Sequence, residues 1–291
     1  MRGKASVSLT VFLCVFIPLS GLAAHSGAFL RIGVGARALG MGGAFVALAD
    51  DPTALYWNPA GLVSLESGEL ASMYTNQFGL GAHFSFLAFG QPWNEQSGWA
   101  IGILNLSLGQ IPITGLDENG RPIVTGYMGY SDTALFLAYA QSLFRSSIGV
   151  TIKGIHQTLG EESGLGLGID FGAMTPFIKP FSLGMVLRTA FVNWSTGEKA
   201  FLPVQLILGT AYRPFPNVTL ALDTGLQTGR RIEFHVGVEY RLFSPVAIRF
   251  GLDRGHLTVG AGIAMTNIRI DYALMFHSLG LSHRFSFGIR L

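Results

Sequence analysis

Residues 231–241 read RIEFHVGVEYR. Successive side chains of an extended strand point to opposite faces. Ile232, Phe234, Val236, Val238 and Tyr240 therefore share one side, and Arg231, Glu233, His235, Gly237, Glu239 and Arg241 the other. Near the end of the chain the pattern returns twice. Ile268, Ile270, Tyr272, Leu274 and Phe276 oppose Asn267, Arg269, Asp271, Ala273 and Met275, and Phe285, Phe287, Ile289 and Leu291 oppose Arg284, Ser286, Gly288 and Arg290. Charges this dense cannot face lipid, where Arg or Lys costs roughly 2–4 kcal/mol at the midplane. The apolar faces are the ones that meet it.

Composition points the same way. Of 291 residues, 49% are apolar and only 12% are charged, against about 25% charged in a soluble domain. After the first 24 residues no uninterrupted apolar run reaches the length of a membrane helix. High apolarity without long apolar runs is the signature of a membrane β-barrel, and a soluble two-layer sandwich would carry polar outer faces and more charge.

Fourteen segments read as strands: 67–78, 82–91, 98–108, 131–143, 146–157, 164–176, 181–192, 202–212, 218–225, 231–241, 245–252, 256–265, 267–276 and 282–291. The expected fold is all-β, a 14-stranded antiparallel transmembrane barrel, the even strand number suiting a bacterial single-chain barrel. With the first strand running outward, the periplasmic connections are short, except Gln91 to Ser97, and the outer ones include the longer Gly109 to Tyr130 and Asn193 to Phe201. The last strand, ending in alternating apolar residues at Leu291, suits a barrel-assembly signal.

Residues 1–24 read as a secretory signal peptide: Arg2 and Lys4, an apolar stretch Val7 to Leu22, then small residues at Ala23 and Ala24. Export to the bacterial outer membrane is the expected localisation. Cys14, the one cysteine, lies inside that segment, so the mature chain has no disulfide chemistry. Removing Arg2 and Lys4 leaves 17 basic against 17 acidic residues, with no basic run, and nucleic acid is not an expected partner.

One stretch does not alternate. Residues 33–62 read GVGARALGMGGAFVALADDPTALYWNPAGL. Asp51-Pro52 starts a short helix with Asp as cap and Pro at the first position, and Asn58-Pro59 interrupts it and starts another turn. The expected domain plan is a signal peptide at 1–24, a hatch at 25–66 plugging the lumen, and the barrel at 67–291. The hatch residues singled out are Gly33, Gly35, Arg37, Gly40, Gly42, Gly43, Asp50, Asp51, Pro52, Trp57, Asn58, Pro59, Ala60 and Gly61. Gly33-Val34-Gly35-Ala36-Arg37-Ala38 also fits a dinucleotide fingerprint, but glycines at 40, 42 and 43 cross the helix it needs and no βαβ alternation follows.

The segment GARALGMGGAFVALADDPTALYWNPAGL resembles the N-terminal signature of PorV/PorQ-type outer-membrane proteins, relatives of the FadL fatty-acid transporters. Asn58-Pro59-Ala60 matches the Asn-Pro-Ala element of FadL-type hatches, and IDYALMFHSLGLSHRFSFGIRL is similar to the group's closing strands. Between these ends the similarity is of pattern, as in SIGVTIKGI and LGTAYRP. The resemblance implies a hatch folded into a 14-stranded barrel. It also implies one of two roles: passage of small hydrophobic molecules, or a shuttle for proteins leaving a type IX-like secretion machine.

Chemistry of other kinds finds little footing. His83, His156, His235, His256, His277 and His283 are scattered and no G-x-S-x-G occurs; His277 and His283, with Ser278 and Ser282, read as rim residues. Asp50, Asp51 and Asn58 are accounted for as caps rather than cation ligands. No catalytic, cofactor-binding or metal residue is assigned, and no enzyme activity is expected. The inward charges Arg231, Glu233, Glu239, Arg241, Arg249, Asp253, Arg269, Asp271, Arg284 and Arg290 form a candidate lumen network, for which Arg31, Arg37, Asp50 and Asp51 are candidate partners. Expected partners are outer-membrane lipid and a hydrophobic small molecule, with secretion-system proteins as the alternative.

Overall fold

A computed structural model describes residues 27–176, 180–197 and 199–291. The signal-peptide reading of 1–24, with Cys14, lies outside the described residues. Fourteen antiparallel strands close into one barrel: β1 (Glu69–Gln77), β2 (Ala82–Asn94), β3 (Ser97–Leu116), β4 (Pro122–Leu143), β5 (Ser146–Leu159), β6 (Glu162–Pro176), β7 (Phe181–Trp194), β8 (Lys199–Phe215), β9 (Val218–Gln227), β10 (Glu233–Phe243), β11 (Val246–Asp253), β12 (His256–Ala264), β13 (Ile268–His277) and β14 (Gly280–Arg290). Each strand pairs with its sequence neighbours, and β1 closes on β14 in the register Ser72 to Phe287. Closure leaves the ladder without a free edge, as a backbone in lipid requires.

Burial follows the two-residue period. Leu135, Leu137, Ile152, Leu167, Phe171, Phe250, Ile270 and Phe285 stand exposed on the outer surface, while their neighbours Ala134, Phe136, Thr151, Gly166, Asp271 and Arg284 are buried inside. Large apolar side chains outside and charges inside is the inverse of a soluble protein. It is the arrangement a barrel in lipid needs.

The sequence boundaries fail in three places, the first being Asn193 to Phe201, where β7 and β8 pair out to Asn193 and Lys199 instead of forming a long outer connection. Gly109 to Tyr130 is not a loop. β3 and β4 continue as a paired ribbon through Ile111–Met128 and Gly115–Ile123, with irregularities after Leu108 and Ile113, and only residues 117–121 connect them. Of the residues that read as loop formers, Gly109 and Gly129 fall at the first irregularity, while Pro112, Gly115, Pro122 and Gly126 sit in regular pairs of the ladder. Gln91 to Ser97 is likewise mostly strand, leaving a two-residue turn at Glu95 and Gln96, so this connection is as short as the others on its side.

Residues 27–65 lie inside the barrel. They comprise a 3-10 turn at Ala28–Arg31, helix α1 (Ala36–Gly40), helix α2 (Ala54–Trp57) and a second 3-10 turn at Pro59–Ser64. The helices are too short to stand alone in water, and the barrel wall supplies what holds them. Asp51 Oδ1 accepts from Thr53 N at 2.9 Å, but α2 begins only at Ala54 after Thr53, so Pro52 lies in the turn ahead of the helix and not at its first position. Asn58 Oδ1 accepts from Ala60 N at 3.2 Å, and Pro59 opens the last turn as expected.

Candidate functional site

The interior is divided. On β2–β4 and β7 the buried inward residues are largely apolar, among them Phe84, Leu104, Phe136 and Val192, whereas β5 and β6 add Thr151, Lys153, Gln157 and Asp170 beside Ile155. On β9–β14 they are largely polar: Asp223, Glu239, Arg249, Asp253, Thr258, Asp271 and Arg284. The segment between the walls is divided to match. Phe29, Leu55 and Tyr56 join the apolar cluster with Phe84, Leu104 and Phe136, and the Tyr56 ring meets Phe136 edge to face at 6.4 Å.

Arg31, Arg37 and Asp51 face the charged wall. Arg31 pairs with Glu233. Arg37 reaches Asp50 at 2.6 Å within its own segment and Glu239 at 3.2 Å on β10. Glu239 also accepts from Arg249 Nε at 2.7 Å, and Arg249 Nη1 donates to Asp271 at 2.7 Å. Asp271 is shared with Arg269 at 3.1 Å, and Arg269 Nη2 donates to Asp51 at 2.6 Å. The chain of contacts thus runs from α1 into β10, β11 and β13 and back to the turn before α2. Burial pushes the Asp51 carboxyl upward, but the Arg269 and Arg37 guanidiniums and the bonds from Thr53 outweigh it, leaving Asp51 below the ordinary carboxylate value.

The remaining lumen candidates stand apart. Arg231 and Arg241 are exposed, Arg231 in the β9–β10 connection and Arg241 toward the far end of β10. Arg290 pairs with Glu69 at 2.8 Å and Glu66 at 3.6 Å near the periplasmic rim. Arg284 is buried with Nε and Nη1 unpaired, its nearest bond being to Met275 Sδ at 3.6 Å.

Several seating contacts carry no separate mark in the sequence. Asp223 Oδ2 accepts from the backbone of Phe45 and Val46, both at 2.9 Å. His235 Nδ1 lies 2.9 Å from Gly42 O and 3.2 Å from Asp253. Arg188 donates to the carbonyls of Tyr56 and Trp57, Thr151 to that of Leu55, and Lys153 pairs with Asp170 at 2.6 Å. Strand glycines complete the fit. A Cβ added at Gly184, Gly237 or Gly149 would stand 2.5 Å from Val46 O, Met41 O or Ala60 N, so the inner backbone lies directly on the wall there.

Of the hatch residues read from sequence, Gly33, Gly35, Gly42 and Gly43 take positive φ and Gly40 packs on Gly260. Trp57 Nε1 donates to Val34 O at 2.8 Å. Asn58 Nδ2 donates to Val46 O and Ala173 O. Pro59 closes on Gly172, Gly61 on Ala49 O, and Pro52 and Ala60 are buried.

The oxygens of Asp51 and Asn58 that sequence offers to a cation are already engaged, and among the described residues no cluster of three or more His, Cys, Asp or Glu gathers. Ser282 and His283 point to opposite faces, Ser282 inward to Gln77 and His283 outward to Tyr272. A dyad between them is geometrically excluded.

Between the walls, Tyr56, Trp57, Leu39, Ile207, Arg188 and Glu233 bound a cavity of about 40 Å³. That is room for little more than one water, against the ~150 Å³ of a cavity that holds benzene.

These features define a class: a 14-stranded barrel with an apolar outer surface and its own N-terminal segment packed in the lumen. Solved structures of this fold include the Ralstonia pickettii toluene transporter TbuX, with 15% identity over 89% of this chain and 98% of that one, TM-score 0.64. The Pseudomonas putida toluene transporter TodX aligns with 13% identity over 89% and 99%, TM-score 0.62, and a Pseudomonas aeruginosa FadL homologue with 10% over 84% and 95%, TM-score 0.55. No family model and no curated protein matches the sequence.

Proposed function

We infer that this chain passes small hydrophobic molecules through the outer membrane, with the hatch as gate. The observation that carries the reading is the divided lumen. An apolar wall leads to the Tyr56–Trp57 aromatic pair, and the cavity there is too small for even a benzene ring until the hatch shifts. The similar folds of transporters named for toluene suggest toluene as the first probe. The test is entry of labelled toluene into vesicles holding the purified chain. A rate no higher than in protein-free vesicles, together with no lipid or hydrocarbon retained on purification, removes this reading.

A second reading, a non-enzymatic shuttle or attachment component of a type IX-like secretion system, is supported by the PorV/PorQ resemblance. The projecting β3–β4 ribbon also favours it, with Leu116 and Tyr127 exposed well beyond the neighbouring strand ends. Co-purification of exported proteins bearing a C-terminal signal domain would promote it.

A further inference from the structure

The β9–β10 connection, residues 228–232, reads TGRRI, and contains two guanidiniums and no acid. Arg230 and Arg231 are exposed and neither forms an ion pair among the described residues. The carboxylates nearest in sequence are engaged elsewhere, Glu233 by Arg31 and Asp253 by Arg254 and His235. Arg230, Arg231 and Arg254 line an open cleft of about 500 Å³ together with Ile232, Phe234 and Glu233, the last already paired with Arg31.

Two features fix what this cleft faces. Ile232 and Phe234 are each 55% exposed and belong to the apolar outer set of β10. The strands beneath are short, ten residues in β9, eleven in β10 and eight in β11, and about nine to eleven tilted residues are needed to cross the hydrocarbon. The connection therefore leaves the barrel at the outer hydrocarbon boundary. β3 and β4, at 20 and 22 residues, carry Asp117 and Glu118 far above that level.

We propose that Arg230 and Arg231, with Ile232 and Phe234 below them, form a site for the phosphate group of an outer-leaflet glycolipid, whose acyl chains lie along the apolar face. A guanidinium binds phosphate through charge-assisted, often bidentate hydrogen bonds. The apolar residues under the arginines favour a phosphate attached to a lipid over a free one. The proposal rests on the membrane reading of the barrel and stands whichever of the two functions holds.

The test uses the full chain in detergent, the probe being lipid A with both phosphates intact. The unmodified chain retains lipid A through extensive washing. The double variant Arg230→Gln with Arg231→Gln retains about tenfold less, and dephosphorylated lipid A binds the unmodified chain as weakly. Heat-modifiable migration on gels confirms that the variant barrel is folded, and Arg213→Gln, at the periplasmic end of β8, leaves retention unchanged. Equal retention by the double variant overturns the proposal. So does equal binding of dephosphorylated lipid. Inorganic phosphate displacing lipid A at millimolar concentration would make this a free-phosphate site, and binding of a lipid-free acidic polysaccharide in its place would make it a polysaccharide surface; either also overturns it.

Discussion

Arg269 on β13 and Asp51 in the lumen segment are 218 residues apart in the chain and meet at 2.6 Å. Arg269 also holds Asp271, so a single side chain joins the barrel wall to the hatch. Asp51→Asn removes the charge while keeping the bond from Thr53 available. The expected outcome is a barrel that assembles normally but shows more frequent conductance openings in planar bilayers. Conductance identical to the unmodified chain would show that the pair does not hold the hatch closed.

Arg249 presents a different case, because its partners Glu239 and Asp271 are both buried. Removing it takes one of two cations from each carboxylate, leaving Glu239 with Arg37 and Asp271 with Arg269. Leaving a buried charge with no partner costs about 3–5 kcal/mol, which is the upper bound here. Arg249→Met should therefore lower unfolding stability in guanidinium by up to that amount, whereas Arg241→Met, at an exposed position, should change it by less than about 0.5 kcal/mol.

Strand glycines that touch the inner backbone make a steric test. Gly184→Val places a branched side chain against Val46 O. Displacement of the hatch is expected, read as leakage of small solutes from vesicles with the barrel still heat-modifiable. Gly154, where an added Cβ meets nothing within 4 Å, is the control, and Gly154→Val should seal as well as the unmodified chain.

Acid offers a reversible test. Asp51 has its pKa held below the ordinary carboxylate value, so its contribution is fully present above the unfolded-state value near 4 and is lost as pH falls through the folded one. Hatch seating should hold from neutral pH to about 4 and loosen below it. Conductance recorded from pH 7 to 3 checks this, and Asp51→Asn should weaken that dependence, leaving the part carried by Glu233 and Glu239.

Deleting residues 33–62 should leave an inserted barrel that admits small solutes. Permeability unchanged by the deletion would contradict a plugging role.

How much of this could be read from residues differs by kind. The barrel could, because the two-residue period of β10, β13 and β14 survives any small error in their ends. The β3–β4 ribbon could not, since Gly109, Pro112, Gly115 and Pro122 look locally like turn residues and only pairing across the hairpin reveals a ladder. The inventory of inward charges was visible on each strand. Which cation meets which carboxylate depends on tilt and closure, and no local spacing encodes a contact such as Arg37 with Glu239. Gly184 and Gly237 gave no sign of their role, because a glycine in a strand looks the same whether it faces a cavity or another backbone.

The unequal lumen has an evolutionary corollary. The ion pairs that hold the inner segment draw mainly on β10, β11 and β13, while the greasy flank on β2–β4 and β7 contributes few charges to them. On the proposed transport reading, change at Phe84, Leu104 or Val192 can alter what the barrel admits while sparing those pairs, so the two can evolve separately.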